Sequence, residues 1–199
     1  MRLIIAGIGT DVGKTIVSAI MVQALEADYW KPIQTGQDSD RETVKSLVPQ
    51  TLCHPELYHL KQPLSPHYAA HLEGFEIDPS RILPPKTKKP LIIESCGGVL
   101  VPLTKNSLTM DVFKQWDCLW FLVSRHYLGS LNHTLLTLQA MQNHNCKLGG
   151  IIFNGHADEQ LEEPILHFAN SPKIFRLFPE NEISSSTIKK YAQQWKPSL

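Results

Sequence analysis

With 199 residues the chain has the length of one domain, with enough sequence to bury a substantial core. Lys plus Arg and Asp plus Glu balance at 19 each, so no net field draws the protein to nucleic acid or to an anionic membrane. The apolar runs fall well short of the roughly 18 residues of a membrane span, and Cys53, Cys96, Cys118 and Cys146 are scattered without a CxxC pair, the usage of reduced thiols in a cytoplasmic protein.

The first expected element is a strand, Leu3 to Ala6, read as strand one and not as a signal peptide because a single Arg precedes it and a glycine loop follows. A helix is expected over 14–27, with Val17, Ile20, Ala24 and Ala27 on one face. Tyr29 to Ile33 reads as the second strand, and a further helix starts after Asp38-Ser39-Asp40, where either acid could serve as its N-cap. Residues 49–90 are rich in Pro and His and are expected as a loop-rich insertion with at most short helices. Strands follow at Leu91 to Glu94, Cys118 to Val123, Gly150 to Phe153 and Lys173 to Leu177. Between and after them lie helices over 130–144, with Leu131, Leu135, Leu138 and Met141 together, and 184–195. Strands apolar on both faces alternating with helices imply an α/β fold with a mostly parallel central sheet and helices on both faces. One domain, 1–199, is expected.

The loop GIGTDVGKT (7–15) carries the clearest chemistry. A strand that breaks into glycines and restarts as a helix leaves backbone N–H groups pointing one way, a nest for phosphate at the positive end of the helix. Lys14 then reaches the β- and γ-phosphates and the Thr15 hydroxyl ligates Mg²⁺, which makes the fold P-loop NTPase-like. The spacing is G-x5-G-K-T, because Ile8 stands where the usual motif has its first glycine and Gly7 lies one residue earlier. In a parallel sheet, ligands collect at the carboxyl ends of strands. There the chain offers Lys31 in YWKPIQTG and Glu94 in PLIIESCGG, a cation for a transferring phosphoryl group and an acid for Mg²⁺ or its water. His67 and His71 stand four apart, but no third ligand accompanies them, and they read as polar loop histidines. The aromatic residues within 119–123 read as core.

The set GIGTDVGKT, KPIQTG, Asp40, LSPHYAA followed by EG, IIESCGG and LGSLNH resembles the dethiobiotin synthetase family through residues 1–154, and more weakly to the end. The extra residue between the glycines is part of that resemblance. It implies an ATP- and Mg²⁺-dependent enzyme that closes the ureido ring of dethiobiotin on 7,8-diaminononanoate and carbon dioxide. It further implies a cytoplasmic homodimer with active sites at the interface. By position, Lys31 resembles the catalytic lysine, Lys14 the phosphate lysine, and Thr10 a contact to substrate amines or phosphate. Thr15, Asp40 and Glu94 resemble the Mg²⁺ site, and Thr35 with Gly129, Ser130, Leu131 and Asn132 the substrate contacts, the latter turn coming from the neighbouring subunit. The nucleotide would be held by Asp11, Val12, Gly13, Lys14, Thr15 and Ile16, by Asp40 and Glu94 to Gly97 (Ser95 and Cys96 included), and by Asn154, Gly155, Pro179, Glu180 and Asn181. Asp11 replaces a usual glutamate, Ser95-Cys96 a usual Gly-Ala, and Tyr127 falls near a position often basic. The rival reading is a partitioning-type switch ATPase of the same architecture. Such proteins carry a second lysine five residues before the phosphate lysine, where this chain has Gly9. A GTPase would need an [NT]-K-x-D tetrad, which the sequence lacks.

Overall fold

The computed structural model describes residues 1–170 and 172–199. In chain order the elements are β1 (Arg2–Gly7), α1 (Lys14–Leu25), β2 (Asp28–Trp30), β3 (Ile33–Thr35), α2 (Asp40–Leu47), β4 (Cys53–His54), β5 (Tyr58–Leu60) and α3 (Pro66–Leu72). They continue with β6 (Leu91–Gly98), α4 (Thr109–Phe113), β7 (Leu119–Arg125), α5 (Ser130–Asn143), β8 (Lys147–Asn154), α6 (Glu159–Phe168), β9 (Ile174–Leu177) and α7 (Ser185–Trp195).

Seven strands form one sheet in the order β4-β2-β6-β1-β7-β8-β9, and every pairing in it is parallel. Right-handed crossovers then dictate where the helices go. The chain moves one way along the sheet from β1 through α1 to β2 and through α2 to β4. It moves the other way through α4, α5 and α6. The two sets therefore cover opposite faces, and the packing of α1 on α2 and of α5 on α6 agrees, with α7 returning to α1. β1 lies in the middle, buried from Leu3 to Gly7, and its carboxyl end is flanked by those of β6 and β7.

Three expectations are corrected in detail. The strand read as Tyr29 to Ile33 is two strands. Pro32 has no N–H to donate to a ladder, so β2 stops at Trp30 and β3 leaves the main sheet to pair with β5. Pro32's carbonyl instead accepts from Leu57 (2.9 Å) and Tyr58 (3.1 Å). Residues 49–90 are likewise more ordered than loop, since they supply β4 at the sheet edge, β5 and α3. His67 and His71 both lie on α3. Finally, α1 ends at Leu25 because Glu26 turns left-handed (φ 51°), which lets Ala27 N–H cap Val22 O and leaves Ala27 outside the helix.

The burial of α1 extends past the one face foreseen. Val17, Ala19, Ile20, Met21, Val22 and Ala24 are all buried, because the helix is pressed between the sheet, α2 and α7. Each such side chain contributes about 1.5–3 kcal/mol by leaving water. On α5 the buried stripe runs through Thr134, Thr137, Leu138 and Met141, with Leu131 and Leu135 only half-buried at its flank. Among the described residues no helix is long and apolar enough to cross a membrane, and all four cysteines are free.

Candidate active site

β1 delivers the chain into the 8–13 loop at the middle of the sheet. Gly13 sits at φ 97°, and a Cβ there would stand 2.5 Å from the Asn154 Nδ2. At Gly7 a Cβ would meet the Val12 Cγ2 at 2.7 Å and the Lys14 Cδ at 3.0 Å, whereas Gly9 has open space around it. The two glycines that the backbone requires are thus those of the G-x5-G spacing. Loop hydrogen bonds stop at Ile8 N–H to Val123 O (3.2 Å) and resume at Val17 N–H to Gly13 O (3.1 Å). Among the described residues the N–H groups between them find no backbone acceptor, a cradle fitting phosphate oxygens. Asn154, at the end of β8, donates from Nδ2 to Val12 O (2.9 Å), and Arg125, at the end of β7, donates to Asp11 O (3.1 Å), so neighbouring strands brace the loop.

Beside this cradle four separate segments meet. The Thr15 hydroxyl lies 2.9 Å from Asp40 Oδ1 and 3.0 Å from Glu94 Oε1. Lys31 Nζ donates to Asp40 Oδ2 and, at 3.4 Å, to Glu94 Oε1. Asp40 is free for this because Ser39 is the residue that caps α2, its Oγ accepting from Glu42 N–H (3.3 Å). The N-cap alternative for Asp38 and Asp40 is therefore overturned. Asp40's own N–H donates to Gln34 Oε1 (3.4 Å). Glu94 is wholly buried, and its second oxygen accepts from the Tyr29 hydroxyl (2.9 Å). Two carboxylates and a hydroxyl, with the other positions open to phosphate oxygens and water, are the donor set Mg²⁺ takes alongside a nucleotide. The residues fit the ion.

The charges in the site are strongly perturbed. Burial pulls the Lys14 ammonium below its ordinary value, Glu94 opposing and Lys31 reinforcing the effect; its Nζ donates to Gly9 O (2.7 Å). Burial also works against Lys31, but Glu94 and Asp40 outweigh it and hold that ammonium above the usual lysine range. Cys96, whose thiol burial pushes up to about 11 despite the two lysines, is inert as a nucleophile near neutrality. Burial and the Glu94 charge push the Tyr29 phenol well above its ordinary value.

The other expected residues distribute around this centre. Thr10 approaches Gly97, the Thr10 Cγ2 lying 3.9 Å from where a Gly97 Cβ would sit. Thr35 ends β3, outside the main sheet. On the far side of the loop a cleft of about 510 Å³ is lined by Ile8 to Val12 and by Arg125, His126, Tyr127 and His133. The 129–132 turn starts α5 at that cleft, with Gly129 at φ 94° and Asn132 exposed. The Ser130 hydroxyl is engaged internally, accepting from Tyr127 N–H (3.2 Å). Gly155 and the 179–181 loop adjoin through the β8–β9 pairing and the bond from Gly155 N–H to Leu177 O (2.9 Å). Glu180 is held by Lys190 (2.8 Å) and Tyr191 (2.6 Å).

Several participants escape sequence reasoning. Tyr29 and Gln34 lie inside the YWKPIQTG stretch, and only Tyr29, two residues before Lys31, carries a hint, the period-2 alternation of a strand. Glu162 is buried on α6 and clamps Arg176 (2.8 and 2.5 Å) together with His126 (2.9 Å), which ties the cleft to β9. No local pattern signals that triad.

A parallel sheet whose central strand feeds a glycine loop, a lysine and a threonine into a helix, with an acid midway along the adjacent strand β6, which runs on to Gly98 and not only to Glu94 as expected, defines a P-loop NTPase-like α/β protein. The solved structures agree on the fold. A ParA family ATPase from Chlorobium tepidum TLS superposes with a TM-score of 0.60 at 14% identity, covering 100% of this chain and 99% of the other. The MinC:MinD cell division complex of Aquifex aeolicus gives 0.54 at 11% identity, covering 98% of this chain and 96% of the other. A family profile described as an AAA domain matches residues 1–186. Sequence relatives narrow this to one family. The ATP-dependent dethiobiotin synthetase of Chlamydia pneumoniae is 48% identical over 98% of this chain and 89% of its own length. Those of Chlamydia felis and Cytophaga hutchinsonii are 45% and 44% identical, covering 98% and 96% of this chain and 94% and 95% of their own. The chain belongs to the ATP-dependent dethiobiotin synthetase family.

Proposed function

We propose that this protein is a cytoplasmic, ATP- and Mg²⁺-dependent cyclo-ligase that closes the ureido ring of dethiobiotin. One amine of 7,8-diaminononanoate takes up carbon dioxide as a carbamate, and a carbamate oxygen attacks the γ-phosphorus of ATP with loss of ADP. The second amine then closes the ring on the mixed anhydride and expels phosphate. Carbamate and γ-phosphate are both anionic, so their approach needs concentrated positive charge. Lys14 and the loop N–H groups hold the phosphates, and Lys31 faces the transferring group. Thr15, Asp40 and Glu94 would hold Mg²⁺, which supplies charge neutralisation at the phosphate oxygens. Thr10 and Thr35 orient the reacting end of the diamine, and Asn154, Gly155 and 179–181 receive the base.

The observation that carries the reading is the meeting of Lys31, Thr15, Asp40 and Glu94 beside the phosphate cradle. Two subunits sharing each site would let the 129–132 turn of one serve the substrate carboxylate of the other, through free N–H groups at a helix start. The test is phosphate release with ATP, bicarbonate and diaminononanoate, omitting each in turn. All three should be required, and dethiobiotin should appear in equal amount with phosphate. Hydrolysis indifferent to diamine and bicarbonate would overturn the reading and favour a switch ATPase.

A further inference from the structure

Glu94 is the one carboxylate at the site with no exposure at all, and its orientation has a visible cause. In the parallel pairing of β2 with β6, Tyr29 stands level with Ile92 and Trp30 with Ile93. Lys31 therefore falls level with Glu94, and Tyr29, Lys31, Ile92 and Glu94 share one face of the sheet. From two residues upstream the tyrosine ring reaches along that face, and its hydroxyl donates to Glu94 Oε2 at 2.9 Å. Both residues are fully buried. Among the described residues the Tyr29 hydroxyl is the sole hydrogen-bond partner of that oxygen, while Oε1 faces Thr15 (3.0 Å) and Lys31 (3.4 Å).

We infer that Tyr29 is a positioning residue for the metal: by holding one oxygen of Glu94 from inside the core, it presents the other to the ion and limits how far Lys31 can capture the carboxylate. The inference rests on the reading of Glu94 as a Mg²⁺ ligand. Without the hydroxyl, Glu94 is free to rotate and offer both oxygens to Lys31, so the ion competes with an ammonium for its own ligand. Removal of such an outer partner typically lowers metal affinity by roughly 10–100-fold.

The test is Tyr29→Phe, which keeps the buried ring and deletes only the donor. Mn²⁺ is the probe, its paramagnetic resonance signal being titrated with the protein and ATP, and the melting temperature without metal reports folding separately. Mn²⁺ affinity should fall by about tenfold or more, and the Mg²⁺ needed for half-maximal turnover should rise by a similar factor, with kcat recovered at saturating Mg²⁺. In a Glu94→Gln background Tyr29→Phe should change Mn²⁺ affinity no further. Wild-type affinity in Tyr29→Phe, with Glu94→Gln impaired, overturns this role and leaves the metal site standing. Unimpaired Mn²⁺ binding in Glu94→Gln overturns the metal site itself, and the role of Tyr29 with it.

Discussion

Replacing Lys31 with alanine should separate the resting electrostatics of the site from its chemistry. The Lys31 ammonium is buried between Asp40 and Glu94, whose side chains are 27% and 0% exposed. Its removal leaves two carboxylates facing each other across Thr15. Breaking a fully buried pair costs about 3–5 kcal/mol, and the partial exposure of Asp40 brings the figure down to roughly 2–3 kcal/mol. For a chain of this size that is a fall of roughly 5–10 °C in Tm. Mg²⁺ with ATP gives the two acids a new partner, so the variant should gain more Tm from Mg²⁺·ATP than the wild type does. ATP binding should survive, whereas turnover should drop by about two or more orders of magnitude, the scale of one lost transition-state charge contact. The folded value of Lys31 lies above the unfolded one, so its stabilisation is complete below the unfolded lysine value of about 10.4 and is lost only as pH climbs through the folded value. The Tm deficit should therefore still be present at about pH 9, below the folded Lys31 value. Scanning fluorimetry and a ring-closure assay measure both effects. A variant that melts like the wild type, gains no more from Mg²⁺·ATP and turns over normally would refute the reasoning.

Lys14 should behave oppositely. Because burial lowers its folded value, the wild type gains stability as pH rises toward the unfolded lysine value, so Lys14→Met should lose that climb and melt no lower than wild type near neutrality, while ATP ceases to raise its Tm. Gly13→Ala meets both a left-handed φ and the Asn154 amide, and should cost about 2–3 kcal/mol by chemical denaturation; Gly9→Ala, in open space, should be close to neutral, and equal losses would count against the loop geometry. Mixing Lys31→Ala protein with Gly129→Asp protein should restore part of the activity if each site spans two subunits, because exchange gathers both lesions into one site and leaves the other whole. Exchange demonstrated by mass spectrometry without recovered activity would exclude the shared site.

Much of this protein is legible locally. Glycine spacing, Lys14 and Thr15 are consecutive in the chain, and strands covered on both faces leave long β-branched runs that periodicity reads directly. The same legibility let strand ends nominate Lys31 and Glu94, since a parallel sheet gathers ligands at one edge whatever its strand order. What the sequence alone did not contain is who faces whom. Pro32 splits a strand whose composition reads as continuous, and only the pairing of β3 with β5 shows where the remainder goes. Ser39 takes the cap and leaves Asp40 to Thr15 and Lys31, a choice among three adjacent polar residues that local preference does not resolve. Tyr29 reads only as the start of a strand and becomes a partner of Glu94, 65 residues further along the chain, only because β2 lies beside β6. Glu162, Arg176 and His126 come together from three elements in the same way. Backbone propensity and phosphate nests act over a few residues and are written in the chain order. The partner of a buried charge is decided by strand order and register, which exist only once the sheet has formed.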